Sequence, residues 1–374
     1  MIYYRPFLVL KRYHLNKPPY QIPFQLTKLG TDVTLLIGKD QTQFDHKFKV
    51  IETNIFSTSN IGNINIIQNF REIVKVLKFL NSNEADVFLF HGNFPATFAI
   101  VSVLRSIFLF RRRKTKRFIL KLDWDGIFLN YRRLIRYPFA LLLFLNSFLY
   151  DFMAVETTCA YNRLKFFPGF SGKLMLFPNT IPDTFFETIP TSKENNVLTV
   201  SRIVREKKLE VGICAFAKAC EKFTNWTMEI VGPIQDEEYF KDLRNLISRL
   251  HLEKKVKFLG VLYGEKLKES YSRSSIFLIF PKDESFSLAR IESLASGTPV
   301  LSNSSGCGES VKGLVVINSE DPVSISEKLM ELMIDGQLRY KLAEEGKKSV
   351  KSWKQILLQN VVLRDLIKVD DTSV

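Results

Sequence analysis

Two carboxylates, Glu284 and Glu292, stand with seven residues between them in Glu284-Ser285-Phe286-Ser287-Leu288-Ala289-Arg290-Ile291-Glu292. One falls in a loop and the other on a helix, and both can face one crevice. At that spacing alone, a solvated loop acid and a helix-surface acid are the commoner arrangement; the neighbouring strand and turn chemistry reverses the balance. A basic run, Arg202-Ile203-Val204-Arg205-Glu206-Lys207-Lys208, offers cations upstream, and it could equally be an ordinary solvated charge run. Asp123-Trp124-Asp125 is a further acidic pair, which could hold a divalent metal, bind hydroxyls or take up a proton. His91, followed by Gly92-Asn93, stands at the end of an apolar run. A lone histidine in such a place is more often a structural hydrogen-bonder than a reacting group.

The elements that must position these groups are legible around them. Ser275 to Phe280 is a short apolar run expected as a buried strand. Ser287 is the expected N-cap of a helix whose apolar face is Leu288, Ile291, Leu294 and Ala295. Gly297 ends that helix, and Thr298 to Ser302 starts another strand. The unit is strand, acidic loop, helix, strand, which puts Glu284 at the carboxyl edge of a sheet, where open α/β folds bind ligands. Asn196 to Ser201 predicts a strand, then the basic loop, then a helix through Phe223. Met228 to Gly232 and Val256 to Gly260, the latter containing Phe258, predict two more strands ending in glycine turns.

In this order the segments resemble family 4 of the retaining glycosyltransferases. The resemblance rests on Glu284-x7-Glu292 followed by Gly297-Thr298-Pro299-Val300, on Arg202-x4-Lys207, and on Pro178-Asn179-Thr180-Ile181-Pro182-Asp183-Thr184-Phe185 near the expected domain junction. It implies a GT-B fold, an α/β architecture of two Rossmann-like domains facing each other across a cleft. The implied activity is retaining transfer of a hexose from a UDP-, GDP- or ADP-sugar to a hydroxyl of a membrane-linked glycan or lipid. Arg202 and Lys207 would grip the donor diphosphate. Such positioned charges stabilise a leaving group without reorganising, and losing one costs about 10²–10³ in rate. Glu284 would lie by the donor sugar and Glu292 would hold the ribose hydroxyls. Ser285, Phe286 and Ser287 would supply backbone amides at the helix start, with Gly232 and Phe258 in the nucleotide-binding half. On the acceptor side the resemblance points to His91, and to Asp123 and Asp125 in place of a catalytically placed histidine. No cofactor is implied beyond the donor itself. No metal is expected either, because the nucleotide features lie in the other half from Asp123 and Asp125.

The resemblance is strongest from residue 178 to 351 and thins toward the start, where Gly30-Thr31-Asp32-Val33 matches a Gly-His-x-Val element. Relatives usually carry glycine at the position of Lys208 and at that of Thr180. They carry Gly-Gly-x-x-Glu where Ser305-Gly306-Cys307-Gly308-Glu309 stands, and a Gly-Gly loop where this chain has Lys11 to Tyr20.

The 374 residues suffice for two ordinary domains, and 46% hydrophobic with 25% charged residues describes a folded protein. The boundaries expected are 1–186 and 187–353, with a last helix from 354 crossing back onto the first domain. Four cysteines and four histidines form no paired or metal-ligand spacing, which fits a reducing cytoplasm. Met1 to Leu10 is too short and polar for a signal peptide.

The net charge of +14 is uneven: residues 1–185 carry 25 basic against 12 acidic side chains, or +13, and the rest are nearly neutral. The excess concentrates between Arg105 and Arg136, beside the apolar stretches Phe98 to Phe110 and Tyr137 to Leu145. Neither stretch has the roughly 20 unbroken apolar residues of a membrane span. A peripheral anionic membrane face fits better than nucleic acid, for which no module is present; buried helices with a basic rim are the bland alternative. A non-catalytic sugar-nucleotide subunit and a GT-B epimerase are the other functional classes left open.

In the first half, strands are expected at Phe7–Leu10, Asp32–Ile37, Asp86–Phe90, Phe118–Leu122 and Phe152–Val155, and helices at Pro23–Leu29 and Phe70–Leu80. Near the end, helices are expected at Val323–Ile334 and Leu338–Leu366.

Overall fold

The computed structural model describes residues 1–10, 18–28, 30–42, 45–53, 70–92, 95–110, 116–122, 137–187, 192–282, 284–306 and 311–359. The chain divides into two compact units, Met1–Thr180 and Ile181–Gln355, with 356–359 at the end of the last helix grouped with the first.

In the first unit the elements are β1 (Ile2–Leu10), α1 (Pro18–Lys28), β2 (Thr34–Asp40), β3 (Lys49–Glu52), α2 (Phe70–Ser82), β4 (Val87–His91), α3 (Pro95–Phe110), β5 (Arg117–Leu122), α4 (Tyr137–Leu149), β6 (Phe152–Val155), α5 (Thr158–Leu164) and β7 (Leu174–Leu176). The strands form one parallel sheet in the order β3-β2-β1-β4-β5-β6-β7. Both faces are covered, so the strands read as unbroken apolar runs. Phe88, Phe90, Phe118 and Leu120 turn toward α2, α3 and α4, while Leu89, Ile119 and Ala154 turn toward α1. Three differences from expectation are plain. β1 begins at Ile2 rather than Phe7, and β3 and β7 are strands too short for their alternation to stand out in sequence. α1 begins at Pro18 rather than Pro23, because proline at a helix start forfeits no hydrogen bond.

The second unit repeats the plan with β8 (Glu194–Val200), α6 (Leu209–Cys220), β9 (Thr227–Val231), α7 (Glu237–Arg249), β10 (Val256–Gly260), α8 (Gly264–Arg273), β11 (Ser274–Ile279), α9 (Leu288–Ala295), β12 (Val300–Ser302), β13 (Leu314–Val316), α10 (Pro322–Ile334) and α11 (Gly336–Gln359). Its sheet is parallel, ordered β10-β9-β8-β11-β12-β13. Val197, Ile230, Ile276 and Leu278 pack on α6 and α10, and Leu198, Phe277, Ile279 and Val300 pack on α8 and α9. α9 ends as its sequence predicts. Gly297 takes φ +74°, Thr298 N–H bonds Ser293 O at 3.0 Å and Gly297 N–H bonds Leu294 O at 3.1 Å, closing a Schellman motif.

Candidate active site

In the second sheet, β8 is followed by β9 and β10 on one side, while β11 lies on the other. The strand order therefore reverses between β8 and β11, and the crevice beyond their carboxyl ends is where such sheets bind ligands. Two loops leave that point. After β8, Arg205–Lys207 forms a single 3₁₀ turn, and Lys208 takes φ 46°, ψ 48°. That is the left-handed conformation glycine adopts at no cost, so the turn keeps a glycine's shape despite the lysine, at a strain of about 1–2 kcal/mol. After β11, Lys282 N–H donates to Glu206 O at 2.9 Å and ties the second loop to the first. Across this seam Lys207 Nζ donates to Glu284 Oε2 at 2.7 Å, with both side chains largely buried.

A frame behind Glu284 holds it there. Gly306 has φ +71°, and a Cβ on it would stand 3.2–3.3 Å from the Cβ, Cγ and carbonyl oxygen of Glu284. The turn after β12 therefore packs against Glu284 with no room to spare. Arg290, on α9 and fully buried, donates from Nη2 to Asn303 Oδ1 at 3.1 Å and from Nη1 to Ser305 O. Asn303 Nδ2 in turn donates to Pro281 O at 2.7 Å. One guanidinium and one amide thus lock the loops after β11 and β12 together. Sequence reasoning passed over both residues. The one signal was a lone arginine among apolar helical positions, and its partners become visible only once β12 is known to lie beside β11.

The other expected site residues are placed as follows. Arg202 is exposed and donates from Nη1 to Gln235 Oε1 at 3.1 Å. Arg205 turns to the acids of α7, bonding Asp242 at 2.8 Å, and that hydrogen bond leads the rise in its pKa. Gly232 has φ +148°, and a Cβ there would lie 1.7 Å from Ser201 O, so only glycine fits where the ends of β8 and β9 meet. Phe258 packs edge-on against Phe240 (4.9 Å between centroids) and lines a groove of about 500 Å³ with Lys241, Arg244 and Glu253. Phe286 is buried with Ile291 and Leu294, and Ser285 beside it is half-buried.

Glu292 is fully buried on α9, where Tyr271 Oη donates to its Oε2 at 2.9 Å. Burial, and then the charge of Glu292, raise the Tyr271 phenol well above its usual pKa, so it stays a donor. Ser287 needs a correction. It occupies the N-cap position, but at φ 60°, ψ 73° and not in the extended region, and its hydroxyl caps no helix amide. Its backbone carbonyl takes the amides of Arg290 and Ile291, at 3.1 and 3.4 Å.

In the first unit, His91 closes β4 and is buried. Its Nδ1 shares a hydrogen bond with Tyr3 Oη, and the rings meet edge to face at 5.6 Å. In the same row of strand ends, Lys121 Nζ donates to Glu156 Oε1 at 3.0 Å, both fully buried, and Asn179 Nδ2 donates to the same oxygen. Asp123 and Asp125, and Cys307 with Glu309, lie outside the described residues.

Residues 181–349 match the family profile of glycosyl transferases group 1, which supports that family for the second unit. Among curated proteins the chain is similar to an exopolysaccharide phosphotransferase of Streptomyces coelicolor, 29% identical over 52% of this chain and 21% of the relative. It is also similar to an alpha-monoglucosyldiacylglycerol synthase of Streptococcus pneumoniae, 23% identical over 48% of this chain and 43% of the relative. The matched segments thus span less than half of either relative. Among solved structures, HepE of Anabaena, crystallised with UDP and glucose, superposes with a TM-score of 0.72 at 15% identity, covering 97% of this chain and 98% of that one. The fold is the GT-B fold, with its two Rossmann-like parallel sheets.

Proposed function

We propose that the protein transfers a hexose, with retention, from a nucleotide diphosphate sugar to a hydroxyl of a membrane-linked glycan or lipid. The observation that carries this is the Lys207–Glu284 pair at the switch point of a sheet that matches the group 1 profile. In the free protein the two charges neutralise each other. A donor diphosphate would give Lys207 a dianionic partner, draw Arg202 away from Gln235, and release the Glu284 carboxylate to the sugar hydroxyls. Glu292, held by Tyr271, would meet the ribose. The bond from the sugar's anomeric carbon to the phosphate oxygen breaks, the acceptor oxygen bonds that carbon on the same face, and the acceptor's proton leaves to the diphosphate. The two cations supply the charge that a metal would otherwise provide, so no metal or cofactor enters the proposal.

On the acceptor side, Asp123 and Asp125 would bind hydroxyls. His91, buried against Tyr3, would position the loop that follows β4 and not react itself. Support for a UDP-sugar donor comes from HepE, whose structure holds UDP and glucose, and support for a lipid acceptor from the relative named for monoglucosyldiacylglycerol. The enzyme would work as a peripheral protein on the cytoplasmic membrane face.

A thermal-shift series over UDP-, GDP- and ADP-sugars tests the donor, because a ligand at 100 times its Kd stabilises by about 2.7 kcal/mol. Transfer to a lipid-linked acceptor pool with the best donor, and the anomer seen by NMR, test the reaction and its retention. Stabilisation by none of the donors, or stabilisation unchanged in Lys207→Ala, refutes the site. A changed sugar without acceptor would make it an epimerase.

A further inference from the structure

We propose that the outward faces of α3 and α4 form a docking surface for an anionic lipid bilayer. This surface deepens the membrane part of the proposed function but stands on its own geometry, whatever sugar chemistry the second unit performs.

α4 is apolar on its outer side as well as on the side that carries the core residue Leu143. Leu141, Leu145 and Phe148, at spacings of four and three, face outward with 57%, 40% and 65% exposure, while Asn146 and Ser147 are buried. Asn146 and Ser147 are inside because other chain covers them. Lys173 Nζ donates to Ser147 O at 2.6 Å, and a Cβ on Gly169 would stand 2.1 Å from Ser147 Oγ. The same turn carries Phe166, 84% exposed. α3 packs beside α4 on the same face of the sheet and exposes Val103, Leu109 and Phe110, the last at 91%. Water selects against so many exposed apolar side chains on two neighbouring helices, so they mark contact with something apolar.

Charge identifies that partner. Residues 101–150 carry eleven Lys and Arg against two Asp. In sequence α3 runs into Arg111-Arg112-Arg113-Lys114, and Arg132, Arg133 and Arg136 precede α4. Cations next in sequence to two helices with exposed apolar side chains suit an anionic headgroup layer above hydrocarbon. A nucleic acid would use the cations but not the leucines and phenylalanines. A second copy of the chain would set one +13 half against another. No helix among the described residues is long and apolar enough to cross a membrane, so the contact lies in the interface.

Sedimentation with vesicles of equimolar phosphatidylcholine and phosphatidylglycerol, and with pure phosphatidylcholine, tests this on the full chain. The expected result is binding to the anionic vesicles only, reduced about tenfold or more in Phe110→Ser/Phe148→Ser. Thermal unfolding of that variant should be unchanged, since both side chains are exposed. In Phe148→Trp, the emission added to that of the wild type should shift to the blue and be quenched by brominated lipid on anionic vesicles. This measurement also guards against misfolding of the double variant. No binding by the wild type, equal binding to neutral vesicles, undiminished binding by the double variant, or an added emission that brominated lipid leaves unquenched in Phe148→Trp would each overturn the proposal. So would a wild-type dimer in light scattering that the double variant dissolves, because that face would then be a protein interface.

Discussion

The two units share one plan, a parallel sheet with helices on both faces, yet they treat the polar groups at their strand ends in opposite ways. In the first unit these groups are buried and bound to one another, as His91 with Tyr3 and Lys121 with Glu156 and Asn179. In the second, the Lys207–Glu284 pair retains some exposure, Arg202 is out in solvent, and the loops after β11 and β12 are locked together by Arg290 and Asn303. A fully buried charge pair has already lost its water and has little left to offer a ligand; its job is structural. A partly exposed pair on a rigid frame can exchange partners, which is what binding a charged ligand requires.

The largest effect should fall on stability in the first unit. Lys121→Met strands the buried Glu156 carboxylate and should cost about 3–5 kcal/mol in denaturant unfolding, while Lys121→Met/Glu156→Leu should recover most of it. If the single variant is as stable as the wild type, the pair is not the structural element described. Lys207→Ala in the second unit should leave unfolding nearly unchanged but lower kcat/KM for transfer by about 10²–10³. Equal losses of stability from both lysine variants would erase the contrast between the units.

Arg290→Met leaves Asn303 Oδ1 and Ser305 O without their donor and should cost about 1–3 kcal/mol. Its effect on kcat/KM should exceed that of Arg205→Ala, whose side chain points to α7. A pH effect comes next. Lys193 has an exposed stem, but its amine is tucked against Ser274 O (2.9 Å) and Thr298 Oγ1 (2.6 Å). Burial, and then the charges of Arg339 and Lys347, pull its pKa down to about 8. The folded state therefore binds fewer protons than the unfolded one between about 8 and 10.4, and stability should rise with pH across that window. Lys193→Met should flatten the rise; an unchanged pH profile would mean the amine is better solvated than its contacts indicate. The smallest effect is at Lys208: replacement by glycine should change stability by no more than about 1 kcal/mol, whereas Lys208→Val should lose about 1–2 kcal/mol in the left-handed turn.

Much of the second unit was legible in advance. β11, α9 and its Gly297 stop, β9 and β10 follow local signals, a run of buried apolar residues or a helical stripe ended by glycine. The first unit was legible in β4, β5 and β6 and less so in β3 and β7, because three or four residues carry no usable period. The expected cap at Ser287 failed for a local reason as well: residue type favours capping, but the left-handed backbone turns the hydroxyl away.

By itself the sequence determined β4, β5, β6, β9, β10, β11 and α9 with its glycine stop, and which loops carry acid or base, since periodicity, turn glycines and charge are local properties of the chain. Only the tertiary structure decided that Lys207 meets Glu284, that Arg290 clamps Asn303, that Lys121 spends its charge on Glu156, and that α4 turns Leu141, Leu145 and Phe148 outward. Each of these depends on which strands become neighbours and which face of a helix is covered. That is settled by packing between segments far apart in the chain, where no local pattern reaches.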